Sequence, residues 1–178
     1  MNKNRCSWVG EDEIYIKYHD EEWGVAKYDD KILFEMLILE LFQAGLSWIT
    51  ILKKRNSFKK AFDDFDIDKI INYDTEKIAE LMENKAIVRN RRKIDATINN
   101  AGIFKKIQKE YGSFCEYIWG FTKGKIIKAE YKTQSDLSQE ISKDLKKRGM
   151  KFVGPTIIYS YLESIGIIDN HEKNCFKY

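Results

Sequence analysis

From Lys31 to Arg55 the chain reads KILFEMLILELFQAGLSWITILKKR, with apolar residues around most of a helical circumference. That pattern predicts a long helix buried on all sides, started at Asp29 or Asp30 and broken in two near Gly45. Further helix starts are signalled by Ser57, Asp66, Thr75 and Ser135, with Gly149 stopping the last. The run IVRNRRKIDATINNAGIFKKIQKEYG predicts one amphipathic, basic helix ending near Gly112. PTIIYSYLESIG predicts a helix with Pro155 in its first turn and Gly166 at its end. Residues 122–134, TKGKIIKAEYKTQ, carry the weakest pattern and read as a surface loop or short hairpin. With no repeat, low-complexity tract or linker, the expectation is one all-α domain spanning 1–178.

The 178 residues, 43% of them hydrophobic, suffice for a core without disulfides, and 10 Gly with 1 Pro suit a helical chain. Net charge is only +3, but the basic residues are grouped: Lys53, Lys54 and Arg55; Arg89, Arg91, Arg92 and Lys93; Lys146, Lys147, Arg148 and Lys151. Each run is explained by a solvated helix face, whereas several together would make a surface for a polyanion, with nucleic acid the leading candidate. No run reaches the ~18 apolar residues of a membrane helix, and MNKNRCSWVGEDEIY lacks a signal-peptide core, so no membrane association and a cytoplasmic location are expected. In a reducing compartment Cys6, Cys115 and Cys175 are poor disulfide candidates, and Cys115 reads as a buried thiol.

Two histidines and two cysteines sit near the termini. Cys6 precedes His19 by thirteen positions, and His171 precedes Cys175 by four, facing the same way if that segment is one helical turn. This is a tetrahedral Cys2His2 ligand set, although chance placement also accounts for it; four protein ligands would make the metal structural. Trp8, Tyr15, Tyr18, Trp23 and Trp48 are each explained by core packing, but as a group beside Glu40 they would grip a planar, cationic base. Glu40 lies within MLILELFQAG, where an ionised carboxylate is costly unless paired. It is either a satisfied buried acid or a ligand-reading one. ELMENKAIVRNRRKIDA has the form helix, tight turn, basic helix, which can present backbone N–H groups to a phosphate.

RCSWV, YIKYHDEEWGV, LFEMLILELFQAGLSWITILKKR, KRGMKFVGPTIIYSYLESIG and NHEKNC, in that order, resemble the 3-methyladenine DNA glycosylase I family, constitutive bacterial enzymes of alkylation repair. The likeness runs from Cys6 to Cys175. It implies a helix-hairpin-helix glycosylase fold and one structural Zn2+ on Cys6, His19, His171 and Cys175. It also implies excision of a flipped nucleotide from double-stranded alkylated DNA by a monomer, releasing free 3-methyladenine and leaving an abasic site. By the same resemblance Glu40 looks like the catalytic carboxylate that bonds the base edge, Tyr18 like its polar partner and Trp48 like the stacking ring. Trp8, Tyr15 and Trp23 complete that pocket. Leu46 resembles the plug that fills the vacated stack, with Gln43 and Gly45 beside it. Arg89, Arg91, Arg92 and Lys93 would lie along the hairpin on DNA.

Three departures stand out. Ala86 and Arg92 replace common glycines of the hairpin, so a turn needing positive φ would be strained at Ala86. Leu41 and Phe42 stand where a more polar pair is familiar. Two rival classes share many of these features: a zinc-stapled reader of alkylated DNA without glycosylase activity, and a helical interaction protein whose aromatic residues are simply core.

Overall fold

The computed structural model describes residues 3–130 and 132–178. The helix predicted to be buried on all sides is α2, Asp30–Gln43, in which every residue from Leu33 to Phe42 is buried. A helix with no polar face must be wrapped, and it packs against α3 (Trp48–Ala61), α6 (Arg91–Tyr111), α7 (Phe114–Gly120) and α9 (Pro155–Ser164). Polar groups fix its two ends. The Asp29 side chain accepts from Ile32 N, while Asp30 accepts from the first backbone amides of α7 and from Gln108 Nε2 at 2.7–2.8 Å. At the other end the Lys93 ammonium donates to the carbonyls of Phe42 (2.7 Å) and Ala44 (2.6 Å), groups that helix termination leaves unpaired.

Around this axis run α1 (Glu13–Glu21), α4 (Ile67–Ile70), α5 (Thr75–Glu83) and α8 (Asp136–Lys147), with 3-10 turns at Ser7–Val9 and Asp63–Phe65. The sequence signals hold at Asp66, which caps α4, and at Ser135, whose hydroxyl and backbone make a reciprocal cap with Ser138. Asp74, one residue before the expected Thr75, caps α5. Ser57 starts nothing, because it lies inside α3, where the Ile51, Leu52 and Phe58 face carries the helix through. The basic helix starts at Arg91 under an Asn90 cap, later than IVRN suggests, and residues 84–90 make the turn.

The stretch 122–134, whose Tyr131 lies outside the described residues, is not a hairpin. Ile127–Lys128 pairs in parallel with Ile168–Asp169 near the carboxyl end, a minimal sheet on an otherwise helical body. No helix among the described residues is long and apolar enough to cross a membrane.

The amino-terminal segment after α1 runs closely along the end of α9. Lys27 N donates to Ile165 O at 3.0 Å, and the Lys27 ammonium to Ser164 O at 2.7 Å. Gly166 permits this approach: at φ +77 a Cβ there would lie 2.4 Å from Ala26 N and Val25 C. Gly166→Ala is therefore expected to cost about 2–4 kcal/mol, from strained backbone and steric overlap together, read as a lowered urea midpoint.

Candidate active site and metal cluster

A cavity of about 260 Å³ opens where the amino-terminal segment, α2, α3 and α9 converge. Trp8, Tyr15, Tyr18 and Trp23 line it from the amino-terminal side, Glu40 and Gln43 from α2, and Trp48 from the first turn of α3. Those seven were singled out from sequence. Ser160 and Glu163 of α9, and Asn170 and Glu172 of the tail, also line it and were not. The rings stand in two groups: Trp8 is 5.0 Å from Tyr15 and 4.9 Å from Trp23, and Tyr18 is 5.5 Å from Trp48. The indole Nε1 of Trp48 is buried with no partner among the described residues, a donor free for a ligand.

Helix α2 carries two buried acids with opposite surroundings. Glu35 meets Arg55 at 2.6 Å and Lys59 at 3.4 Å, and Arg55 also binds Glu22 at 2.6 Å. Glu40 is 3% exposed, and among the described residues nothing hydrogen-bonds its carboxylate. Burial, reinforced by the charge of Glu163, holds the Glu40 carboxyl well above the usual carboxylate range. Burial likewise pushes Glu163 up to about 7, against the stabilising 2.6 Å hydrogen bond donated by Asn170 Nδ2. Burial first, then the charge of Glu40, raises the Tyr18 phenol far above its ordinary value, so Tyr18 is a neutral hydroxyl.

Behind the aromatic wall Cys6, His19 and Cys175 bring their ligand atoms within 4.8 Å of one another, all three residues buried. Backbone amides of Glu172 and Lys177 point at the two sulfurs, at 3.4 and 3.5 Å. His19 Nδ1 pairs with Asp20 at 2.9 Å, Asp20 being held in turn by Arg5 at 2.8 Å. The fourth expected ligand, His171, is beside this trio, its ring centroid 5.4 Å from that of His19. Its Nδ1 pairs with Asp169 at 2.7 Å, and its buried Nε2 has no partner among the described residues. A carboxylate on Nδ1 fixes the ring so that Nε2 is the bare donor, the arrangement of metal-bound histidines. Burial pushes the Cys6 thiol up to about 12, so this site holds a thiolate only with a cation beside it. The donor set and its bare nitrogen fit a thiophilic metal. One expectation fails: His171 and Cys175 do not share a helical turn, since the tail is a series of turns in which Cys175 N donates to Glu172 O.

At the cavity rim the chain leaves α2 through Ala44–Ser47. Leu46 is 39% exposed at the tip, Gly45 has φ +80, and Gln43 pins the loop by donating to Leu46 O at 2.7 Å. The turn between α5 and α6 lies behind it, tied to α3 by Lys54, which donates to Ala86 O at 3.1 Å. Ala86 lies outside the left-handed region, so the strain expected there is absent. Arg89, Arg91 and Arg92 are exposed, Arg91 pairing with Asp95. Lys93 is different: 5% exposed and spent on the end of α2, it does not face solvent. Arg55 also turns inward, to Glu22 and Glu35, while Arg148 is spent on surface bridges to Glu110 and Asp144.

The family model described as methyladenine glycosylase matches residues 8–178. DNA-3-methyladenine glycosylase of Haemophilus influenzae is 42% identical, with 96% of each chain covered. A crystal structure of a 3-methyladenine DNA glycosylase I superposes with a TM-score of 0.94 at 41% identity, covering 97% of this chain and 98% of that one. The 3-methyladenine DNA glycosylase I of Staphylococcus aureus, solved for its recognition of 3-methyladenine, gives 0.93 at 40% identity, covering 98% and 96%.

The inward Lys93 separates packing from phosphate contact. Lys93→Met is expected to lose about 1–3 kcal/mol of stability by leaving two carbonyls unpaired, while the slope of log affinity for DNA against log salt stays at the wild-type value. Arg92→Ala should do the reverse, flattening that slope with little change in urea midpoint.

Proposed function

The chain belongs to the methyladenine glycosylase family, of the helix-hairpin-helix superfamily, and from that membership we propose that it excises 3-methyladenine from alkylated double-stranded DNA. The family supports base-excision glycosylase activity on alkylated DNA; the choice of base is read from the cavity. The observation that carries it is the bare, buried carboxylate of Glu40 facing an aromatic slot. Such a group is costly until a cation or a donor meets it.

Methylation at N3 makes adenine cationic, so the flipped base brings to Glu40 the charge and N–H donors that the site lacks. Trp48 stacks on the base and Tyr18 offers its neutral hydroxyl; Trp8, Tyr15 and Trp23 enclose it. Uncharged adenine leaves Glu40 uncompensated and is disfavoured. The positive charge has already weakened the glycosidic bond, and the base departs as a neutral molecule. Water adds to C1′ and loses a proton, leaving an abasic site. No lysine lines the cavity among the described residues, in keeping with hydrolysis without a lyase step. Leu46 fills the vacated stack with Gln43 and Gly45 beside it, and Arg89 and Arg92 meet phosphates. The protein acts as a single-domain monomer in the cytoplasm.

Zinc is the metal that best suits two cysteines and two histidines, and with four protein ligands its part is structural. Cys6, His19, His171 and Cys175 would hold it, tying the segment that carries Trp8 to the tail that carries Asn170. It supplies charge balance for two thiolates, and no step of the reaction passes through it.

Incubation of N-methylated DNA with the protein, followed by chromatography of the released bases, is expected to yield 3-methyladenine and an intact abasic strand. Glu40→Ala should lower the release rate by about a hundred-fold or more, the scale for loss of one preorganised polar partner. Tight binding of methylated duplex without release would make the chain a damage reader instead. Metal analysis should find one zinc per chain. Stripping it with a strong chelator is expected to lower the thermal midpoint by roughly 5–10 °C, the loss of a tightly held ligand in a chain of this size.

A further inference from the structure

Glu163 enters the cavity from α9, on a different helix from Glu40. Its Oε1 accepts from Asn170 Nδ2 at 2.6 Å, and no cation among the described residues pairs with it. Its charge also bears on Glu40, which is itself buried and has no hydrogen-bond partner among the described residues. The cavity thus sets two helix-borne carboxyls against one aromatic slot, a third carboxyl, that of Glu172, being engaged by Ser7 N and Oγ, and no Lys or Arg is among its lining residues. Elsewhere in this molecule a buried acid is treated otherwise: Glu35 has Arg55 and Lys59.

We propose that Glu163 is a second charge-reading residue of this slot, acting with Glu40 to select a flat organic cation, a purine alkylated on a ring nitrogen. This rests on the reading of the cavity as a base slot. Two carboxyls lining one cavity repel one another when both ionise, and a positive ring bound in that cavity offsets the repulsion and is attracted by both. The groups facing the pair are Tyr15 and Tyr18 from α1 and Glu172 from the tail, none of them a cation that would already neutralise it. The lone-acid signature that marks Glu40 in MLILELFQAG recurs at Glu163 in TIIYSYLESIG. Charge selection is then a property of two helices rather than of one residue.

The test compares wild type with Glu163→Gln and Glu163→Asp, titrated in mildly alkaline buffer with binding followed by tryptophan fluorescence. One ligand is 3,9-dimethyladeninium, a fixed cation whose 9-methyl stands where the sugar would be; the other is free 3-methyladenine, which is neutral there. Wild type is expected to prefer the cation, and Glu163→Gln to lose about ten-fold of its affinity for the cation while binding the neutral base within about two-fold of wild type. Glu163→Asp, retaining the charge, should keep most of the preference. Retained binding of the neutral base shows that the variant is folded and its slot intact. An unchanged ratio in Glu163→Gln overturns the assignment. So does an equal loss for both ligands, which would give Glu163 a shaping role only. Absence of any preference in wild type would overturn charge selection, and absence of binding of either base would overturn the base-slot reading itself, results that do not depend on the variants.

Discussion

A helix that is apolar on every side cannot lie on a surface, and this requirement organises the molecule. From Leu33 to Phe42 α2 is fully enclosed, so α3, α6, α7 and α9 are bound to surround it. Enclosure has a price for any acid the helix carries. Glu35 meets it with Arg55 and Lys59; Glu40, one and a half turns on, has no such partner and faces a cavity instead. The same wrapping that stabilises the core strips water from the group that would read a base.

Basic residues serve that wrapping as much as any polyanion. Lys93 and Lys54 hold the hairpin turn against the end of α2 and against α3, while Arg55 and Arg148 tie helices through carboxylates. The loop that carries Leu46 leaves α2 at Ala44, one of the two carbonyls Lys93 grips. The turn before α6 and the loop that carries Leu46 therefore share one ammonium and keep a fixed spacing, which suits elements that would approach one duplex together.

Much of this was legible because periodicity reports burial directly. The enclosed helix, its break near Gly45, the Asp66 and Ser135 starts and the Pro155 helix all follow from local pattern and capping chemistry. Ser57 misled because a good cap residue inside an amphipathic helix looks the same in sequence as one at its start; only packing of Ile51, Leu52 and Phe58 decides. The parallel pairing of Ile127–Lys128 with Ile168–Asp169 joins residues some forty positions apart, beyond any local signal. Lys93 was read as solvent-facing because a basic run carries no mark of which member turns inward. Glu163 was legible in principle, as a lone acid in an apolar helix, whereas Asn170 and Glu172 reach the cavity only through the fold of the tail, and Ser160 carries no mark of its own on α9.

Asn170, which steadies the Glu163 carboxyl, is the immediate neighbour of His171 in the chain. A single peptide unit therefore separates His171, beside the Cys6–His19–Cys175 cluster, from the lining of the cavity, and the Gly24 backbone lies against the His171 ring on the other side, its N–H bonded to Glu163 O at 3.1 Å. If the proposed metal holds the termini, its loss would reach the spacing of the acids through that one peptide unit, whereas the helical core stands on α2 and its neighbours. On the proposed reading, a metal at the termini would then bear on discernment as well as on endurance: a chain with loosened ends would grow less exact about what the slot admits.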